Sequence, residues 1–446
     1  MRVSFLSPLP PAKTGVAHYA AMLLPALRQG VDLDAFDSPP GYRAGDYDAA
    51  IYQLGNNPHH AWVYAEAMRV PGVVVLHDLV LHHLIVEMTL ARGDAEGYAA
   101  TLTASHGEMG AAWAWGRAAG LHSEMGNFLL PASIELANRS RAVIVHNAYA
   151  ADRLRSFGVA TPIHVIPHPY LPEPPHRDRD EVRARLGLEP SHRAIGLFGF
   201  LTSAKRAEVV VEAFRIARER NRELRLLIVG EPAPNIDLTA IAGEGIITTG
   251  YVSDEDFPRY YAAIDRLVNL RYPSAGETSG TLIRGFDAGK PVAVSDYAQF
   301  AEFPDDCVTK IRFGEDEAGQ LARFFLDDVD EAAIARAQRH WLEANARLEL
   351  TVDGYMRVLA DAPHRTFGAP HPAGVRQAIP LFPRLTLTSA TWRNDTLALT
   401  IRNAGDSTLR TRTYGEPGYR LIAILFDDDR VVQDRWLELP RDVAPG

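Results

Sequence analysis

The chain has 446 residues, so at roughly 150 residues per domain it holds two or three domains. Hydrophobic residues make up 47% and charged residues 23%, which excludes disorder over the whole length. Acidic residues outnumber basic ones by 56 to 46, for a formal charge of -10, which argues against nucleic acid or an anionic membrane surface as general partner but allows a local basic pocket.

The start, Met1 to Leu6, meets prolines at once, too short an apolar run for a signal peptide, and no run approaches the roughly 18 apolar residues of a membrane span. A cytoplasmic protein with at most peripheral membrane association is expected. The lone cysteine, Cys307, excludes an intramolecular disulfide and a Cys-rich zinc site.

Val3–Leu6, Ala49–Tyr52, Val73–Leu76, Ala142–Val145 and His164–Ile166 read as buried strands of a parallel sheet. A second series runs through Ala194–Phe198, Leu224–Val229, Ile246–Thr249, Leu267–Leu270 and Pro291–Ser295. Between strands, stretches such as Ala207–Arg218 put Val210, Phe214 and Ala217 on one helical face. The pattern predicts an α/β protein of two doubly wound, Rossmann-like domains, residues 1–170 and 171–360, joined where Pro167, Pro169, Pro172, Pro174 and Pro175 cluster. A long helical stretch, about Glu331–Leu359, closes the second domain, and its last part is expected to pack back on the first. Prolines and glycines mark 361–380 as a linker. From 381 to 446 the period becomes alternating, which predicts a small antiparallel, sandwich-like β module, and its turn-like ending suggests truncation at Gly446. That module is either an appended packing domain or a carbohydrate binder using Trp392, Tyr414, Tyr419 or Trp436.

Four loops at strand ends could carry chemistry. Ser7–Gly15 follows the first strand, and Gly15 lets backbone approach an anion at a helix N-terminus, although the G-x-G-x-x-G spacing is absent. His77 and Asp78 follow Val73–Leu76, where His77 can hydrogen-bond a substrate hydroxyl and Asp78 can start a helix. A metal shared with His82 and His83 is disfavoured, because intervals of five and six do not share a helical face. Lys205 and Arg206 open a helix after the first strand of the second domain, adjacent cations suited to a phosphate-bearing ligand, with Lys205 the better candidate. Finally, Glu277-Thr278-Ser279-Gly280 offers a carboxylate, two hydroxyls and free N–H groups; a diphosphate site and a plain N-cap both fit the tetrapeptide.

The order of Gly15, His77, Lys205, Glu277 and Gly289-Lys290-Pro291-Val292 resembles the retaining nucleotide-sugar glycosyltransferases of glycosyltransferase family 4, over about residues 1 to 360 and most strongly from Gly250 to Asp296. The resemblance implies the GT-B architecture, two Rossmann-like domains facing a cleft, with a nucleoside diphosphate sugar as donor substrate and no metal or other cofactor. It implies that Gly15 approaches the donor diphosphate, that Lys205 stabilises the leaving phosphate, and that Glu277 holds the donor sugar. Thr278, Ser279 and Gly280 would bind phosphate, Tyr251 and Val252 the base, and His77 would lie near the reacting sugar. Departures accompany it: Arg284 stands where a second Glu contacts ribose, Glu277 falls one residue late, and Phe200 occupies the place of a phosphate-binding Arg, a role Arg206 would share. Asp32/Asp34, Asp178/Asp180 and Asp254/Asp256 read as solvated or capping acids.

The expected function is retaining transfer of a hexose from a UDP- or GDP-linked donor to a glycan or lipid-linked saccharide acceptor, in cell-surface polysaccharide or glycoconjugate synthesis, with no nucleic acid partner. The alternatives are a sugar-nucleotide epimerase, which requires a further cleft-facing carboxylate, and a glycan-binding protein without catalysis.

Overall fold

The computed structural model describes residues 1–118, 120, 124–172, 178–233, 236, 241–253, 256–313 and 316–361, and the backbone of four strands between 385 and 437. The first domain is built on six strands: β1 (Arg2–Leu6), β2 (Asp32–Phe36), β3 (Ala49–Leu54), β4 (Val73–Leu76), β5 (Ala142–Val145) and β6 (Ile163–Val165). All pair in parallel, in the order β2-β1-β3-β4-β5-β6. The second has β7 (Arg193–Phe198), β8 (Leu224–Val229), β9 (Ile246–Thr248), β10 (Arg266–Asn269), β11 (Val292–Ser295) and β12 (Thr309–Ile311), in the order β12-β11-β10-β7-β8-β9.

Parallel strands covered on both faces are continuous apolar runs, and β4 and β5 are buried at every residue. The edge strands β2 and β12 were not foreseen. They are short, polar and partly exposed, so they lack the apolar run that marks a central strand.

Each sheet reverses direction once. In the first, β2 and β3 leave β1 on opposite sides; in the second, β8 and β10 flank β7. Loops at the carboxyl ends of strands around such a reversal form the ligand crevice of open α/β sheets. The loops after β1, β7 and β10 therefore hold the natural positions for a site.

The helical stretch expected over Glu331–Leu359 is two helices, Glu331–Asn345 and Leu348–Asp361. The chain breaks where the Ala346 carbonyl accepts from the Tyr170 amide at 2.9 Å, which turns the last helix back onto the first domain. There Tyr355, Val358 and Leu359 join a core with Val3, Phe5, Leu23 and Leu27. Buried within it, the Tyr355 hydroxyl lies 2.9 Å from the Tyr19 hydroxyl and 3.2 Å from the Gln53 amide.

Beyond residue 384 the described backbone forms two antiparallel pairs, Leu385–Arg393 with Thr396–Asn403 and Leu421–Asp427 with Arg430–Leu437. The linker beyond Asp361, the ending at Gly446, Pro174, Pro175, Asp254, Tyr414, Tyr419 and the side chains of Trp392 and Trp436 lie outside the described residues. Among the described residues no helix is long and apolar enough to cross a membrane.

Replacing Tyr355 by Phe removes one hydroxyl and leaves two buried polar partners, which should cost about 1–3 kcal/mol. The urea midpoint of purified Tyr355→Phe should fall with an unchanged slope; an unchanged midpoint would show that the hydroxyl does not bridge the last helix to β3.

Candidate active site

β7 ends at Phe198, and Gly199 follows at φ +84°. A Cβ at Gly199 would lie 2.8 Å from the Lys205 Nζ, so glycine is what lets the ammonium fold back over the strand end. Lys205 closes a short 3-10 turn, is 5% exposed, and donates to the Phe198 carbonyl. The Tyr272 amide donates to the Ala204 carbonyl at 2.8 Å, tying this loop to the one after β10.

The β10 loop carries Glu277. Its Oε1 accepts from Arg271 Nε at 3.1 Å; its Oε2 accepts from the Ala275 amide at 2.9 Å and the Ser274 hydroxyl at 3.3 Å. Gln299 holds the Glu277 carbonyl from the side, at 2.7 Å. Arg271 is thus paired with Glu277, whose charge also reaches Lys205. Burial, then the Arg271 charge, holds the Lys205 ammonium well below its ordinary pKa, with Glu277 acting in the opposite sense. Burial also lowers Arg271, opposed by Glu277. An arginine and a lysine beside one carboxylate can accept an anion, which favours the charged form of the lysine. Sequence reasoning gave Arg271 no role. Its signal was its place directly past a strand end, beside Glu277.

The helix Gly280–Asp287 begins next to this cluster. Ser279 is its N-cap, accepting from the Leu282 amide at 3.3 Å and donating to Asn269 Oδ1 at 2.9 Å. The Ser279 hydroxyl is therefore buried and engaged, while Thr278 before it is partly exposed. Gly280 is exposed, with nothing within 4 Å of a Cβ placed on it, so a ligand can reach the helix N-terminus. The same holds at Gly15, the first residue of the helix Gly15–Leu27, which Thr14 caps.

Arg206 is directed elsewhere. It sits at φ +59°, which turns its guanidinium to Glu317 at 2.6 Å and over the ring of Phe313. It is Arg271, rather than Arg206, that joins Lys205. Tyr251 is 56% exposed with Lys13 Nζ 4.6 Å from its ring centre, a contact from the first domain, while Val252 packs into the second core. Arg284 Nη2 lies 3.3 Å from His18 Nε2, also across the cleft, and Phe200 is exposed.

On the facing side, His77 follows β4 and is 9% exposed. Its Nε2 lies 2.6 Å from the Gln53 side-chain amide and its Nδ1 3.2 Å from His146 Nε2. His146 Nδ1 lies 2.8 Å from the Ile166 carbonyl, which can only accept. His77 Nε2 thus faces Gln53 Oε1, an acceptor, while Gln53 Nε2 donates to the Tyr355 hydroxyl at 3.2 Å. His77 is neutral, with both nitrogens occupied.

Asp78 does not cap a helix, as one sequence reading had it. The next helix starts at His82, and Asp78 Oδ2 instead accepts from the Asn56 amide at 2.7 Å. His82 contacts the Leu130 carbonyl and the Tyr98 hydroxyl, both at 2.6 Å, and His83 contacts Asn56 and Asn127, so the three histidines bind separate partners. Asp32 and Asp34 pair with Arg2, and Asp178 and Asp256 with Arg259.

The first domain grips the Glu277 loop. The Val80 amide donates to the Ala275 carbonyl at 3.1 Å, and Asn147 Nδ2 donates to the Gly276 carbonyl at 2.9 Å. Gly276 has φ +78°, and a Cβ there would come 2.7 Å from the Leu79 Cβ. Glu302 reaches back to accept from the Ala148 amide at 3.1 Å, at the start of the helix Ala148–Ser156.

Residues 192–328 match the family model described as Glycosyl transferases group 1. The chain is 24% identical over 244 residues to a 2-deoxystreptamine glucosyltransferase of Streptomyces kanamyceticus, covering 52% of this chain and 57% of that relative's length. Its backbone is similar to that of Anabaena HepE in complex with UDP-glucose, with a TM-score of 0.56 and 17% identity over 81% of this chain and 100% of that one. It is also similar to sucrose-phosphate synthase of Thermosynechococcus elongatus, with a TM-score of 0.56 and 15% identity over 81% and 98% of the two chains. These likenesses identify the fold as the GT-B arrangement of two Rossmann-like domains, and the stretch that is similar to group 1 glycosyl transferases lies in the second domain.

Burial first of all lowers the pKa of His60, His106 and His146 to about 4, of His82 and His168 to about 3, and of His77 well below 6.5. Folded values below the unfolded one mean that unfolding takes up protons, so stability present above about pH 6.5 is lost as pH falls through that window. Unfolding free energy from urea titrations should drop between pH 6.5 and pH 5 by more than about 1.4 kcal/mol per pH unit, the slope of a single proton. A flat profile over that range would mean the imidazoles are not held neutral.

Proposed function

We propose that the protein is a retaining glycosyltransferase of glycosyltransferase family 4. It moves a hexosyl group from a UDP- or GDP-linked sugar to a glycan or lipid-linked saccharide acceptor, in cytoplasmic synthesis of cell-surface polysaccharide or glycoconjugate. The observation that carries this reading is the buried Lys205 beside the Arg271–Glu277 pair, at the reversal point of the second sheet. The relative named as a glucosyltransferase and the neighbour solved with UDP-glucose make UDP-glucose the first donor to try.

In this reading the anomeric carbon loses its bond to the diphosphate, whose oxygen leaves with the electron pair through a transition state like an oxocarbenium ion. Lys205, Arg271 and the N–H groups at Gly280 offset the charge that builds on the departing diphosphate, with no metal required. Gly15 lets the first domain's helix N-terminus approach the same group. Glu277 Oε1 receives one hydrogen bond and keeps a lone pair for a sugar hydroxyl. Thr278 adds a hydroxyl beside the phosphate, the buried Ser279 holds the helix start, and Tyr251 with Val252 offers a surface for the base.

A second reading, a sugar-nucleotide epimerase, draws support from Asp78, a carboxyl in the cleft besides Glu277. NMR of a donor incubated without acceptor separates the two, because only an epimerase returns an inverted sugar nucleotide.

Incubation with a panel of UDP- and GDP-sugars and saccharide acceptors should give transfer. Lys205→Ala, Glu277→Ala and Arg271→Ala should each lower kcat about 100-fold or more. Arg206→Ala should lose far less, because its guanidinium serves Glu317. A larger loss at Arg206 than at Arg271 would reverse the assignment.

Diphosphate binding raises the depressed pKa of Lys205, so binding takes up a proton wherever pH lies between the free and bound values, and affinity falls as pH rises through that window. Calorimetry of UDP binding in two buffers of different ionisation enthalpy, repeated over a series of pH values, should report this uptake; no difference between buffers at any pH would remove Lys205 from the diphosphate.

A further inference from the structure

We propose that Asn147, a residue of the first domain, positions the Glu277 carboxylate of the second for sugar transfer. The proposal rests on the glycosyltransferase reading, and it makes Asn147 a positioning residue that acts through Glu277 without touching the substrate. The direction of Glu277 is set by backbone. Its Oε2 accepts from the Ala275 amide at 2.9 Å, so the carboxylate moves with the peptide planes between Ser274 and Glu277.

Those planes are held from across the cleft. In the plane that joins Ala275 to Gly276, the carbonyl accepts from the Val80 amide at 3.1 Å, and the Gly276 amide donates to Ser274 Oγ at 3.0 Å. In the next plane, which carries the Glu277 amide, the Gly276 carbonyl accepts from Asn147 Nδ2 at 2.9 Å. Gly276 links the two planes at φ +78°, with no Cβ to restrict its rotation. A hydrogen bond on its carbonyl is therefore what fixes the plane that leads into Glu277. On the far side Gln299 Nε2 donates to the Glu277 carbonyl at 2.7 Å, so the residue is held before and after its own Cα.

Asn147 is suited to this task because its own amide cannot turn. It is buried, and its Oδ1 accepts from the Ala150 amide at 2.8 Å as N-cap of the helix Ala148–Ser156, which leaves Nδ2 directed at Gly276. Glu302 of the second domain accepts from the Ala148 and Tyr149 amides at the same helix start, which keeps helix and loop together. The diphosphate cluster is independent of this hold. Arg271 still donates to Glu277 Oε1, and Lys205 still sits over the end of β7, whichever way the Gly276 carbonyl points. Loss of the Asn147 amide thus misplaces the sugar-binding carboxylate and leaves the diphosphate its cations.

The test is Asn147→Ser, whose hydroxyl still caps the helix and is too short to hold the Gly276 carbonyl. With a donor and acceptor that wild type uses, kcat should fall about 10-fold or more, since a small misplacement at the reacting centre is costly. UDP affinity should hold. Combined with Glu277→Ala the loss should not add, and the double variant should work at the rate of Glu277→Ala alone. A wild-type kcat, a fall in UDP affinity that matches the fall in rate, or losses that multiply in the double variant would each overturn the proposal. If Asn147→Ser lowers the melting temperature, Asn147→Asp decides, because it keeps the side-chain length and the cap and lacks the donated hydrogen. A kcat lowered as in the serine variant supports the proposal, and a retained kcat overturns it. Wild type that transfers no sugar from any donor would instead sink the glycosyltransferase reading, and this proposal with it.

Discussion

A buried lysine beside an arginine–carboxylate pair, Lys205 next to Arg271 and Glu277, sets the terms for the rest of the molecule. Among the described residues Lys205 has a single carbonyl as partner, and Arg271 is bound to the same Glu277 that moderates Lys205. A surface pair of this kind would be worth little, since water screens it. Here the charges sit at strand ends between two cores, where an uncompensated cation is costly and an incoming anion is correspondingly favoured. The chain's net charge of -10 is beside the point at this scale, because the field a ligand meets is set by the groups within a few ångströms.

Such a cluster functions only if its carboxylate stays in place. The Glu277 loop belongs to the second domain by sequence, yet its backbone is held by Val80 and Asn147 of the first. Asn147 uses its amide twice: Oδ1 caps the helix Ala148–Ser156 through the Ala150 amide, and Nδ2 holds Gly276. Because a Cβ on Gly276 would strike Leu79, the approach of the domains and the conformation of the loop are one constraint. Glu302, reaching the other way to the same helix, makes the grip reciprocal.

The central strands were legible because a strand buried on both faces must be an unbroken apolar run, as in Val73–Leu76. The edge strands β2 and β12, half exposed and polar, leave no such trace. The positions of Lys205 and Glu277 could be read because each follows a strand by a short loop. Where the neighbouring side chains point could not. Arg206 stands next to Lys205 in sequence, yet one left-handed residue sends it to Glu317, and no local pattern announces positive φ at an arginine. Arg271 takes part because β10 lies beside β7, a fact of sheet order. His77 drew attention as the usual titrating residue, but occupancy of its nitrogens depends on Gln53 and His146, 24 and 69 residues away.

That occupancy gives the floor of the cleft its rigidity. From Tyr19 the hydrogen bonds run through Tyr355 and Gln53 to His77, then through His146 to the Ile166 carbonyl. A buried chain of polar groups holds its members in few arrangements, because each unmet partner is costly out of water. Tyr355 enters this chain from the last helix, after the polypeptide has traversed the second domain and returned. The return therefore does more than cover the first core. It supplies the hydroxyl that fixes the Gln53 amide, hence the His77 ring, hence the backbone from which Asp78 faces Glu277.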